Sequence, residues 1–259
     1  MIRIDAVENA EISKDFGPGK LKLRPLIYSH GNKGLPAGYA ANLSDFASRG
    51  MVVFAPAHTD KSCRYTELQD GTPIMGEADM DNADLDRWEE KMLVRVEDIK
   101  SVYTDITTEK NELFDMIDRD NVYLAGHSAG GCSAFLAGQE LGKDKIKAVA
   151  TFDGANVIHP NGLDSEVPLL SVSTKDFAPF YNKMVNDKVD LEEERDKIHS
   201  GCSSEHNVRY ISDAHGHLDF DDTPLVNPLI CRAFHGHWPC EDISQHLLVS
   251  NGLFLRFIN

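Results

Sequence analysis

Six short apolar runs punctuate the chain, at residues 23–29, 51–57, 121–127, 146–152, 167–173 and 207–212. They combine aliphatic, β-branched and aromatic residues and are bounded by glycine, proline or polar clusters, the pattern of buried strands. Between them the apolar period lengthens to that of a helix. Residues 40–48 fit one helix, and Met92, Val96, Ile99, Tyr103 and Ile106 form a one-sided stripe on a longer one. Small residues over 132–141 read as a tightly packed helix. Residues 243–257 close the chain with a helix that carries Leu247, Leu248, Leu253, Leu255 and Phe257. Alternating strands and helices need crossover connections. They predict an α/β fold with a mostly parallel central sheet and helices on both faces, built as one domain over residues 1–259. The first 20 residues are candidates for an antiparallel edge. Residues 61–90 are polar and predict a solvated loop, and the charge run at 190–197 predicts an exposed helix.

The third apolar run leads straight into Gly126-His127-Ser128-Ala129-Gly130-Gly131. A G-x-S-x-G sequence between a strand and a helix places serine on a sharp turn, its hydroxyl raised above the sheet. Ser128 is therefore the candidate nucleophile. The N–H of Ala129, at the start of the helix, is a candidate oxyanion donor. A serine nucleophile needs a base, and the base needs an orienting acid. In the α/β-hydrolase order both follow the serine, each just past a strand. Asp153 and Asp176 both meet that condition for the acid. His215 and His217, within Asp213-Ala214-His215-Gly216-His217-Leu218-Asp219-Phe220, both meet it for the base. His127 reads as a packing and hydrogen-bonding neighbour of the turn. The loop Ser29-His30-Gly31-Asn32-Lys33-Gly34 follows the first strand, and its His-Gly pair resembles the oxyanion loop of lipases and esterases. The Asn32 N–H is then the second donor.

Composition excludes several classes. A formal net charge of −16 disfavours nucleic acid and electrostatic docking on anionic lipid, leaving only an apolar contact with a lipid interface. No run approaches the ~20 apolar residues of a membrane-spanning helix. The N-terminus lacks a charged-then-apolar leader, so a cytoplasmic location is expected. Five cysteines, Cys63, Cys132, Cys202, Cys231 and Cys240, form no regular framework and read as reduced thiols. Cys202 and Cys240 are the pair that export by another route would join. The acidic stretch 77–86 has Ala83 and Asp84 where a calcium loop carries an oxygen ligand and a glycine. His215-x-His217-x-Asp219 is similar to the start of a metallo-β-lactamase signature, and a second H-x-H stands at His235 and His237, but Phe220 replaces the next histidine. No metal or cofactor is expected.

Taken together, the motifs resemble the plasma-type platelet-activating factor acetylhydrolases, the group VII phospholipases A2. Pro25-Leu26-Ile27-Tyr28-Ser29-His30-Gly31 is similar to their P-L-V-x-F-S-H-G. Leu43 to Gly50 resembles a helix running to L-A-S-x-G, and His58-Thr59-Asp60-Lys61-Ser62 resembles H-R-D-x-S. Gly126–Gly131 resembles G-H-S-F-G-G, Phe152-Asp153-Gly154 the aspartate segment, and His217 to Asp222 the histidine segment H-x-x-F-x-D. The resemblance implies an α/β-hydrolase fold, Asp153 as acid and His217 as base. It also implies hydrolysis of short or oxidised sn-2 acyl esters of phospholipids, with a small lipid or ester as the substrate. Two departures touch the acyl pocket. Ala129 replaces an aromatic residue, and the segment from Asp60 to Ser128 is shorter. Asp176 falls where cutinase-like polyester hydrolases carry their acid. A general carboxylesterase or polyester hydrolase is therefore the alternative, and a catalytically silent hydrolase-fold binding protein is the second. Oligomeric state is not legible.

Overall fold

The computed structural model describes residues 11, 13–63, 65–77, 84–212, 216–235 and 243–259. In chain order it contains β1 (Arg24–Ser29), α1 (Ala40–Ser48), β2 (Met51–Phe54), β3 (Tyr65–Glu67), β4 (Pro73–Met75), α2 (Leu85–Thr108), α3 (Glu112–Asp115), β5 (Val122–His127), α4 (Ala129–Leu141), β6 (Ile146–Phe152), β7 (Leu169–Thr174), α5 (Phe177–Met184), α6 (Leu191–Gly201), β8 (Val208–Ser212), α7 (Thr223–Val226), α8 (Pro228–His235) and α9 (Ile243–Phe257). The six apolar runs are the six strands of one sheet, ordered β2-β1-β5-β6-β7-β8. Every neighbouring pair in it is parallel.

Parallel strands covered on both sides bury both of their faces. Along β1, Leu26 and Tyr28 turn to one face and Ile27 to the other, following the period of two. One face packs on α1 and α9 through Phe46, Phe254, Phe152 and Phe220, all at most 2% exposed. The other packs on α2, α4, α5 and α6 through Met92, Val96, Phe135, Phe177 and Ile198. The chain runs outward from β1 to β2, returns to β5, and then runs outward the other way. β1 and β5 thus flank the switch point, where diverging connections open a crevice above the carboxyl ends of the strands. Ser29 and Gly126 pair there in register, which sets the loop after β1 beside the turn after β5.

Three expectations change. Within residues 61–90, β3 and β4 form an antiparallel hairpin. α2 also begins at Leu85, seven residues before its apolar stripe, where the Asp84 carboxylate accepts from the Arg87 N–H at 3.1 Å. That cap contributes about 1 kcal/mol. Ser13 to Lys20 form turns with an isolated bridge, Phe16 to Leu21, rather than a strand, while residues 1–10 lie outside the described residues. Cys63, Cys132, Cys202 and Cys231 are buried free thiols, and Cys240 lies outside the described residues. Among the described residues no helix is long and apolar enough to cross a membrane.

Candidate active site

The turn after β5 is shaped by its glycines. A Cβ on Gly126 would stand 2.2 Å from the Gly130 carbonyl oxygen, and one on Gly130 would stand 2.0 Å from that of Ser29. Neither position tolerates a side chain, so β5, α4 and β1 approach backbone to backbone. Ser128 takes the consequence, with φ 56° and ψ −121°. Such a conformation costs about 1–3 kcal/mol in a residue with a side chain and persists only when its surroundings hold it. Here the Ser128 N–H donates to the Phe152 carbonyl at 3.0 Å, while its own carbonyl accepts from Cys132 and Ala155.

Ser128 Oγ lies 3.1 Å from His217 Nε2, and His217 Nδ1 lies 2.9 Å from Asp153 Oδ2. Asp153 follows β6 and is fully buried. Its carboxylate also accepts from the Thr174 N–H at 3.0 Å, the Thr174 hydroxyl at 2.7 Å and Arg195 Nη2 at 2.8 Å. With the imidazole, these donors occupy the four acceptor sites of a carboxylate. Burial pushes the acid upward, but the Arg195 charge, His217 and the Thr174 donors outweigh it and hold Asp153 well below the usual carboxylate range. An ionised carboxylate only accepts, so the neutral imidazole carries its proton on Nδ1 and turns the Nε2 lone pair to Ser128. Phe177, the first residue of α5, lies flat on the His217 ring, centroids 3.5 Å apart at 7°. His217 opens a single turn of 3-10 helix, where Asp219 accepts from the Gly216 N–H at 2.9 Å.

The loop after β1 is braced from beneath. The Gly31 N–H donates to the Tyr39 hydroxyl at 2.8 Å, and that hydroxyl meets His127 Nδ1 at 2.8 Å. Arg95 Nη1 donates to the His30 carbonyl at 2.6 Å, and Lys33 N–H donates to the Ser62 carbonyl at 2.9 Å. Buried Arg95 is itself paired with Asp60 at 2.7 Å. Burial, and next the Arg95 charge, lower His30 to about 3, so it stays neutral and its Nδ1–H donates to the Gly31 carbonyl at 2.8 Å. Ser29, His58 and Asp98 also form a hydrogen-bonded chain, 2.7 Å and 3.0 Å. Ser29 and His58 are 0% exposed, which makes this chain bracing inaccessible to a substrate.

Of the sequence candidates, Ser128, Asp153 and His217 come together. Asn32 and Ser128 line one cavity of about 780 Å³, and Ala129 is the first residue of α4, so its N–H has no acceptor in its own helix. Asp176 stands at the boundary before α5. His215 and His237 lie outside the described residues, and among those described no group of three metal-ligating side chains is assembled. Tyr39, Phe177, Phe180, Tyr181 and Met184 give the cavity an aromatic and apolar wall. Arg95 and Arg195 fall in no sequence motif that points to the site. Arg195 had a signal, since it falls four residues after Leu191 and three before Ile198 on the buried side of α6.

The solved structure of a ferulic acid esterase from Streptomyces cinnamoneus superposes with a TM-score of 0.71 at 19% identity, covering 92% of this chain and 67% of that one. The fold is that of the α/β-hydrolases. TT1662 from Thermus thermophilus is similar at a TM-score of 0.55 and 15% identity, covering 92% and 90% of the two chains. Residues 1–107 match the family model of platelet-activating factor acetylhydrolase, isoform II. The match takes in the loop after β1 and the Arg95 brace and stops before β5. No curated protein matches the chain at the level of sequence.

Proposed function

We propose that this chain is a serine hydrolase of carboxylic esters. The observation that carries the reading is the hydrogen-bonded series Ser128, His217 and Asp153, whose first two members line an apolar cavity. His217 Nε2 takes the Ser128 proton as Oγ attacks the ester carbonyl, and Asp153 holds the tautomer and stabilises the imidazolium. The N–H groups of Asn32 and Ala129 receive the developing oxyanion. The alcohol leaves protonated by His217, and water activated by the same nitrogen releases the acid from an acyl-enzyme.

The match over residues 1–107 and the motifs resembling group VII phospholipases favour short or oxidised sn-2 acyl phospholipids as substrate. The cavity supports a second reading. An acetyl group fills a small part of 780 Å³, and the aromatic wall suits a larger acyl or aryl group, as in a general carboxylesterase or polyester hydrolase. A panel of short-acyl phospholipids, p-nitrophenyl esters and polyester film separates these. The wild type hydrolyses at least one class, and Ser128→Ala and His217→Ala lose about 10³-fold or more in turnover. Near-wild-type turnover in either variant contradicts the reading, and no hydrolysis of any ester leaves the hydrolase-fold binding protein.

A further inference from the structure

Arg195 puts a buried positive charge directly on the carboxylate that orients the base. Its side chain is 3% exposed, its Nη2 lies 2.8 Å from Asp153 Oδ1, and the other oxygen of that carboxylate faces His217 Nδ1 at 2.9 Å. The guanidinium also contacts the Gly154 carbonyl and stands 5.7 Å from the centre of the Phe177 ring, the ring stacked on His217. It therefore reaches the imidazole by two routes, through Asp153 and beside Phe177. For orientation alone a charge is superfluous, because both Thr174 donors already fix the carboxylate.

The surroundings of His217 explain what the charge does. Asp153 contacts it from just past the end of β6. Asp219 lies in its own turn, Asp221 and Asp222 follow that turn, Asp176 immediately precedes α5, and His127 approaches from β5 with ring centroids 4.5 Å apart. Glu192 of α6 is partly exposed and pairs with Arg195 Nη1 at 2.7 Å. The chain as a whole carries −16. All of these negative charges stabilise the imidazolium, and an imidazolium cannot accept the Ser128 proton. We propose that Arg195 is a positioning residue that offsets this field and keeps His217 an unprotonated base at neutral pH. The inference rests on the hydrolase reading for its purpose, while its electrostatic content stands without turnover.

The test is the pH titration of the His217 ring by NMR, with its resonances assigned by their loss in His217→Asn. Arg195→Met removes the charge at similar length. Arg195→Gln removes the charge and retains a donor toward Asp153, so it decides the matter if the Met protein fails to fold. Arg195→Lys retains the charge. Loss of a unit charge this close moves a midpoint on the order of one pH unit. The Met and Gln proteins are expected to titrate higher by about that amount, and the Lys protein to stay with the wild type. Unshifted midpoints in Met and Gln, or a Lys protein shifted as far as Met, overturn the inference. Labelling of wild-type Ser128 by a fluorophosphonate is scored separately. Its absence removes the hydrolase reading and leaves the titration result intact.

Discussion

Removing the Tyr39 hydroxyl tests how the loop after β1 is held. Tyr39 is 2% exposed, and its oxygen accepts the Gly31 N–H at 2.8 Å, one residue before Asn32. Tyr39→Phe keeps the ring on the cavity wall and deletes that acceptor. The Gly31 N–H loses the partner it had. A buried donor stranded in this way costs about 1–3 kcal/mol. The loop recovers part of the cost by turning Gly31 toward another acceptor, and the Asn32 N–H turns with it. A displaced oxyanion donor lowers turnover by up to about 10²–10³, so a fall of tenfold or more in kcat is expected, with KM little changed. Urea denaturation and steady-state ester hydrolysis measure the two effects on one preparation. A variant within about 0.5 kcal/mol of wild type and equal in kcat refutes the bracing argument.

Two further perturbations have clear signs. Asp153→Asn and Asp176→Asn, compared in the same assay, should separate by a wide margin. The amide at 153 presents the wrong partner to Nδ1–H, for a loss of about 10⁴ in kcat, while the change at 176 leaves turnover within a few-fold. Equal losses would contradict the assignment of Asp153. Burial raises Asp221 to about 6, above the ~3.9 of an unfolded aspartate. The native state therefore keeps this proton longer than the unfolded one, and stability falls as pH rises from about 4 through 6. Asp221→Asn should raise Tm above about pH 7 and leave it unchanged below about pH 4, as read by calorimetry, and the opposite order would refute it.

How much was legible in the sequence depends on whether local pattern or long-range contact decides the feature. The strands were legible because parallel strands buried on both faces read as continuous apolar runs. The turn at Ser128 was legible because the approach of three backbone segments forbids a Cβ at Gly126 and Gly130. The start of α2 was hidden because Trp88 sits among Asp86, Glu89 and Glu90, which mask the apolar stripe. The hairpin of β3 and β4 was hidden because only Thr66 among its six residues is buried, leaving no alternating apolar signal. Spacing could not separate Asp153 from Asp176, since both follow strands. What separates them is a contact across the sheet, where Thr174 of β7 and Arg195 of α6 converge on one carboxylate. Arg195 is hidden in the sequence because its neighbours Glu192, Glu193, Glu194 and Asp196 give the segment the composition of an exposed charge run.

The proposed hydrolysis requires Ser128 to be a nucleophile activated by His217. Reaction of the purified protein with a fluorophosphonate probe, followed by peptide mapping, measures that directly. The probe should form one adduct, on Ser128, at a rate that falls by orders of magnitude in His217→Ala while the protein stays folded. An unlabelled Ser128, or labelling that is indifferent to His217, would contradict it.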